Sequence, residues 1–157
     1  MNDSIFVDTN ILVYSYEKSD DLRCQVSKDI VLAGFRGEKN VCVSNQVLGE
    51  FFNVITTKGE HVLSAQEART LLLLIDESPP WRKVNYTTRT VITASELSHR
   101  HGLPIWDALI AATMMENDIS IMYTENVKDF SKIPRITAIN PFKKSSEEKI
   151  SPDKDSS

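Results

Sequence analysis

Five short runs rich in β-branched or aromatic residues, at 4–7, 41–44, 81–86, 119–123 and 136–139, alternate with stretches whose apolar residues recur at helical spacing. That alternation points to βαβ units, and so to an α/β domain with a parallel sheet covered by helices on both faces. The first run, Ser4-Ile5-Phe6-Val7, suits a strand buried on both sides. It stops at Asp8-Thr9-Asn10 before the apolar pattern resumes at Ile11. Ligands of open α/β sheets collect at the carboxyl ends of the strands, where Asp8 falls. The same residue is also suited to a turn or a helix N-cap, so two roles are open to it.

The helical stretches carry further signals. Leu22, Val26, Ile30 and Ala33 follow a cap at Ser19 or Asp20, with Gly34 and Gly37 as candidate stops. In the next helix, capped by Ser44 or Asn45, Glu50 sits among Val47, Leu48, Phe51, Phe52 and Ile55. Gly49 beside it costs about 1 kcal/mol relative to alanine. Either a close backbone approach requires it, or Glu50 merely borders the apolar face with the glycine tolerated. Leu63-Ser64-Ala65-Gln66-Glu67-Ala68 reads as a hydrophobic staple plus capping box, leading a helix through Leu71, Leu72 and Ile75 that Pro79-Pro80 closes off. A helix over 87–101 ends at Gly102, its basic last turn suiting the helix dipole. Pro104 then sets Asp107 in the first turn of a helix with a thin alanine surface at Ala108, Ala111 and Ala112. From there a carboxylate can be aimed into a cleft. Polar groups again follow a strand directly at Thr124-Glu125-Asn126, with Asp129 just beyond.

Residues 143–157 are polar, with four lysines, four acids and one strongly apolar residue, Ile150. The expected organisation is therefore one domain over 1–142 and a disordered tail over 143–157. No apolar run approaches the roughly 20 residues that span a bilayer. The N-terminus lacks the basic start and long apolar stretch of a secretory signal, so no membrane association and a cytoplasmic location are expected. Cys24 and Cys42 form neither a disulfide framework nor a metal pair and read as small buried apolar residues. A net charge of −4 argues against simple electrostatic coating of nucleic acid, though not against an enzyme that acts on it.

If Asp8, the 124–129 segment and the helix starts near Ser44 and Asp107 converge on one sheet edge, the acids need a counter-charge. Two carboxylates about 4 Å apart repel by roughly 4 kcal/mol at an effective dielectric of 20. All-oxygen donors favour magnesium or manganese over zinc. Such an ion polarises a phosphodiester and acidifies water, which points to metal-assisted hydrolysis.

Taken in order, Val7-Asp8-Thr9-Asn10-Ile11-Leu12, Asn45 through Glu50-Phe51, Ile105-Trp106-Asp107-Ala108-Leu109-Ile110-Ala111, and Thr124-Glu125-Asn126-Val127-Lys128-Asp129-Phe130 closing on Asn140-Pro141-Phe142 resemble the PIN-domain nucleases, in particular the VapC-type toxins of toxin-antitoxin pairs. The resemblance runs over about residues 4–142. It implies a three-layer α/β/α fold with a mostly parallel central sheet. It also implies a magnesium-dependent endoribonuclease, manganese being a plausible substitute, acting on RNA as a homodimer and held by a cognate antitoxin. Asp8, Glu50 and Asp107 match the family's three principal acids, which implies Asp8 and Asp107 as direct metal ligands and Glu50 as a further ligand or a residue that orients water. Asn126 stands closest to the place of a fourth, with Asp129 favoured for that role, through a water-mediated contact, and Glu125 as the alternative. Thr9 and Asn10 match the polar pair after the first acid. Ser44 and Thr124 are positioned to orient a carboxylate or phosphate, and Arg82, Lys83, Arg89 and Arg100 are candidates for an RNA rim. Two other readings compete: a catalytically degenerate RNA- or protein-binding module, and an aspartate-nucleophile phosphatase, which Asn10 in place of a second acid disfavours.

Overall fold

The computed structural model describes residues 3–143; the expected disordered tail, from 144 on, lies outside them. Strands β1 (Ile5–Val7), β2 (Val41–Ser44), β3 (Arg82–Val84), β4 (Ile121–Tyr123) and β5 (Thr137–Ile139) form one sheet in the order β3-β2-β1-β4-β5. Every neighbouring pair is parallel, so the mostly parallel sheet expected is wholly parallel among the described residues. In register, Phe6 faces Cys42 on one side and Met122 on the other, and all three side chains are fully buried.

Seven helices connect the strands: α1 (Thr9–Tyr16), α2 (Leu22–Phe35), α3 (Asn45–Thr57), α4 (Ala65–Asp76), α5 (Thr88–His101), α6 (Ile105–Glu116) and α7 (Val127–Phe130). Successive connections step outward from β1 to β3, then cross back to β4 and on to β5. Right-handed crossovers therefore place α1–α4 on one face and α5–α7 on the other. The contacts agree, with α1 packing on α2 and α3, α3 on α4, and α5 and α7 on α6. Strand order reverses at β1, between β2 and β4, which opens a crevice at the carboxyl ends of β1 and β4.

One hydrophobic cluster joins the strands to both helical layers. From α6 the contiguous residues Ala108–Met114 are all buried, which explains its thin alanine surface. Cys24 and Cys42 are buried free thiols, as expected, and burial pushes the Cys42 thiol up to about 12.

Several local readings are corrected. Gly34 does not stop α2; a Cβ there would lie 3.0 Å from Val41 Cγ2 and 3.1 Å from Trp81 Cζ2, so a larger residue would have to push both side chains aside. The turn falls to Gly37, at φ +71°. Gly49 meets no close backbone, since nothing lies within 4 Å of an added Cβ. Ser64 does cap α4, but Glu67 accepts from the Ser64 hydroxyl rather than from its backbone N–H. The reciprocal capping box belongs to Thr87 and Thr90 at the start of α5.

Candidate active site

The site begins where β1 ends. Asp8 takes both roles the sequence left open: its Oδ1 accepts the Thr9 N–H at 2.8 Å and so caps α1, while its Oδ2 accepts the Thr124 hydroxyl at 2.7 Å. Thr124 is fully buried just past β4, next to the strand that Asp8 follows. The Asp8 N–H itself donates to the Tyr123 carbonyl. The switch between β1 and β4 thus fixes the first carboxylate from two strands.

Glu50 arrives from α3. Its Oε2 accepts the Thr9 hydroxyl at 2.7 Å, and its Oε1 accepts the Gln46 Nε2 at 3.0 Å. The Gln46 amide also donates to the Trp106 carbonyl at 3.0 Å, tying α3 to the start of α6 across the crevice. Gln46 was not singled out from the sequence. The available signal was its position four residues before Glu50, on the same helix face.

Asp107 occupies the first turn of α6, and Asp129 lies on α7. The Asn126 amide bridges them, donating to Asp107 Oδ2 at 3.2 Å and to Asp129 Oδ2 at 3.1 Å. Lys132 pairs with the outer Asp129 oxygen at 3.3 Å. Among the described residues no ion pair reaches Asp8, Glu50 or Asp107.

Electrostatics follow from this placement. Asp8 is pushed up from the usual carboxylate range chiefly by burial, opposed by its hydrogen bonds from Thr124 and Thr9 and aided by the charges of Glu50 and Glu125. Asp107 is raised by burial and then by Asp8, Asp129 and Glu50, against the Asn126 hydrogen bond. Asp129 is held low by Asn126 and Lys132. Asp8, Glu50, Asp107, Asp129 and Glu125 therefore bear on one another, and the cations nearest them sit on Asp129 (Lys132) and Glu125 (Arg23).

The other sequence candidates are placed variously. Glu125 is hydrogen-bonded away from the other acids, though its charge still reaches Asp8: it accepts the Tyr14 hydroxyl at 2.6 Å and meets Arg23 at 3.6 Å. Burial first, and then Glu125, push the Tyr14 phenol up to about 12 against the opposing charge of Arg23. Asn10 is exposed on α1. Ser44 is fully buried, and its hydroxyl accepts the Val47 N–H as the α3 cap, so it orients helix rather than carboxylate. Arg82 donates to Ser4 Oγ and the Asn117 carbonyl, both at the amino ends of strands, and Lys83 donates to the carbonyls of Ile75, Asp76 and Ser78 at the end of α4. The structure thus does not bring these two to the acids. They close backbone carbonyls on the opposite edge of the sheet. Arg100 pairs with Glu96 on the α5 surface. Arg89 is exposed beside Thr90, which bonds Glu116 at the end of α6 far from Asp107.

The donor set is oxygen only, which fits a hard divalent cation. The fit is one of chemistry and mutual repulsion; among the described residues no three His, Cys, Asp or Glu side chains are already gathered closely enough to share one ion. Asp8, Glu50 and Asp107, with Asp129 beside Asp107, are the carboxylate donors that could be drawn towards such an ion.

A family model for the PIN domain matches residues 5–136. Solved structures share the fold. A toxin-antitoxin complex from Klebsiella pneumoniae is 22% identical over 87% of this chain and 97% of its own, with a TM-score of 0.61. Mycobacterium tuberculosis VapC20, a sarcin-ricin loop cleaving toxin, is 24% identical over 78% of this chain and 89% of its own, with a TM-score of 0.61. VapBC2 from Rickettsia felis, bound to a DNA fragment from its promoter, is 20% identical over 87% of this chain and 98% of its own, with a TM-score of 0.60. No curated protein matches the chain.

Proposed function

Because the chain belongs to the PIN-domain family, we propose that it is a metal-dependent endoribonuclease of the VapC type, the toxin of a toxin-antitoxin pair. The observation that carries this reading is the placement of Asp8, Glu50 and Asp107 around the strand-order switch, each oriented by neutral hydrogen-bond donors and, among the described residues, none paired with a cation. A structural ion-pair network would match such acids with Lys or Arg.

Asp8, Glu50 and Asp107 would hold magnesium or manganese, and Asp129 would reach it through water. When bound, the ion supplies charge that polarises the phosphodiester and acidifies a water. The chain's own residues prepare for it. Thr124 and the Thr9 N–H fix the rotamer of Asp8, and the Thr9 hydroxyl with Gln46 fixes Glu50. Asn126 keeps Asp107 and Asp129 together despite their like charge. RNA is the proposed substrate, with Arg100 the remaining rim candidate. A cognate antitoxin is the proposed partner, supported by the shared fold with proteins solved in toxin-antitoxin complexes, and the protein is proposed to act as a homodimer in the cytoplasm. Among the described residues no helix is long and apolar enough to cross a membrane.

The test is cleavage of a mixed panel of structured RNAs by purified, antitoxin-free protein with magnesium, manganese or EDTA, beside Asp107→Asn prepared identically. Metal-dependent cleavage that the variant lacks is expected. Cleavage unaffected by EDTA, or retained in Asp107→Asn, overturns the reading.

A further inference from the structure

Next to Glu50 lies an open cleft of about 450 Å³, lined by Asn45, Gln46, Gly49, Glu50, Tyr86 and Trp106. Its composition is unlike that of the acidic cluster. It offers two aromatic side chains, two side-chain amides, a glycine and one carboxylate, with no lysine or arginine. Trp106 is 62% exposed although it directly precedes Asp107 in the buried helix α6. Gly49, exposed on α3, adds no side chain to the cleft, and nothing outside its own helix lies within 4 Å of where a Cβ would stand. The cleft walls are fixed: Asn45 Oδ1 accepts the backbone N–H of both Gln46 and Tyr86.

Gln46 adds an independent sign. Both partners of its Nε2 are acceptors, Glu50 Oε1 and the Trp106 carbonyl, so its amide orientation is set. Its Oε1 is buried and has no hydrogen-bond partner, in a residue that is only 8% exposed. A buried acceptor without a donor is costly, and with less than 1 Å² of the atom accessible a donor in the cleft would reach it only after the Gln46 side chain shifts.

We propose that this cleft receives an unpaired nucleobase of the RNA, stacked on Trp106 and bordered by Tyr86, beside the phosphate that is cut; the inference rests on the nuclease reading above. The absence of basic side chains and the presence of Glu50 make it a poor seat for phosphate. Aromatic faces with amide edges suit a base, whose ring stacks and whose rim hydrogen-bonds. A base inside a duplex has no free face to offer, so the substrate is single-stranded or extruded at the cut.

The test uses an oligoribonucleotide with a mapped cut and the same oligomer carrying an abasic residue on either side of it. Stacking on an aromatic residue is worth about 5- to 150-fold per base. Trp106→Ala is expected to raise KM about tenfold on the intact oligomer, to lose the discrimination against the abasic one, and to recover most of both as Trp106→Phe. A second readout needs no turnover. Of the chain's two tryptophans, Trp81 is 1% exposed and Trp106 is 62% exposed, so single-stranded RNA added in EDTA should shield the acrylamide-accessible emission and duplex RNA should not. A KM within twofold of the parent, with Trp106 still accessible at saturating RNA, overturns the subsite alone. So does a Trp106→Ala protein that only changes its oligomeric state, which would assign the side chain to a second copy. If the parent neither binds nor cleaves RNA with magnesium or manganese, the nuclease reading fails and the subsite with it.

Discussion

Asp8 and Glu50 have both carboxylate oxygens engaged, at 2.7 to 3.0 Å, by donors from β4, α1 and α3. Asp107 and Asp129, on the other side of the crevice, share a single amide at 3.1 and 3.2 Å, and one of its supports is the four-residue helix α7. One half of the cluster is thus held by strand ends and two hydroxyls, and the other by one asparagine that bridges both acids and by Lys132 on Asp129 alone. The difference teaches where adjustment can occur. A site that must draw its acids together around an ion keeps its reference on the rigid half and moves the other, because hydrogen-bonded supports set how precisely a ligand is placed.

The strongest way to break this comparison is to remove charge from each half. Asp8→Asn and Asp107→Asn should each lower metal-dependent cleavage by roughly a thousandfold or more, since several kcal/mol of charge stabilisation are involved. Asparagine at position 8 still caps α1, so circular dichroism should be unchanged. Supports come next. Thr124→Val should cost about 10- to 100-fold in activity or magnesium affinity. Asn126→Ala should fall at or below the low end of that range, about tenfold. Equal losses in steady-state kinetics would mean that the two halves are equally rigid.

The smallest effect concerns pH. Asp8 and Asp107 have folded pKa values raised above the unfolded value of about 4. Their contribution to stability is fully present below that unfolded value and is lost as pH rises through the raised folded values. Asp129, held low, runs the other way: its contribution is present above the unfolded value and is lost as pH falls through the folded one. In EDTA, the melting temperature of Asp8→Asn relative to the parent should therefore increase as pH is taken upwards from the unfolded carboxylate range, by about 2–4 °C for each kcal/mol involved. Magnesium should raise the parent's melting temperature most at the higher pH, where the acids are ionised. A variant-minus-parent difference that is flat with pH would contradict the burial of Asp8.

Much of this was legible in the sequence. Strand alternation gave the parallel sheet, because β-branched runs and helical periodicity are local signals. Acids directly after strands marked the crevice, since chain direction in a parallel sheet puts every strand end on one edge. Side-chain partnership across the crevice was not legible. Whether Glu125 faces the acids or Tyr14 depends on a contact 111 residues apart in sequence. Lys83 looked like a free cation beside Arg82, yet alternation along β3 and the nearby end of α4 turn it to three carbonyls. Gly34 read as a helix stop because the crowding at that position comes from Trp81, outside its own helix.

The Thr9 amide donates to Asp8 while the Thr9 hydroxyl donates to Glu50, so the first turn of α1 and the rigid half of the cluster are one cooperative unit. Opening that turn releases both carboxylates together. Hydrogen exchange at this single amide therefore measures how often the site comes apart. Bound magnesium, by holding Asp8 and Glu50 in place, should slow that exchange before it alters any amide at the outer end of α2.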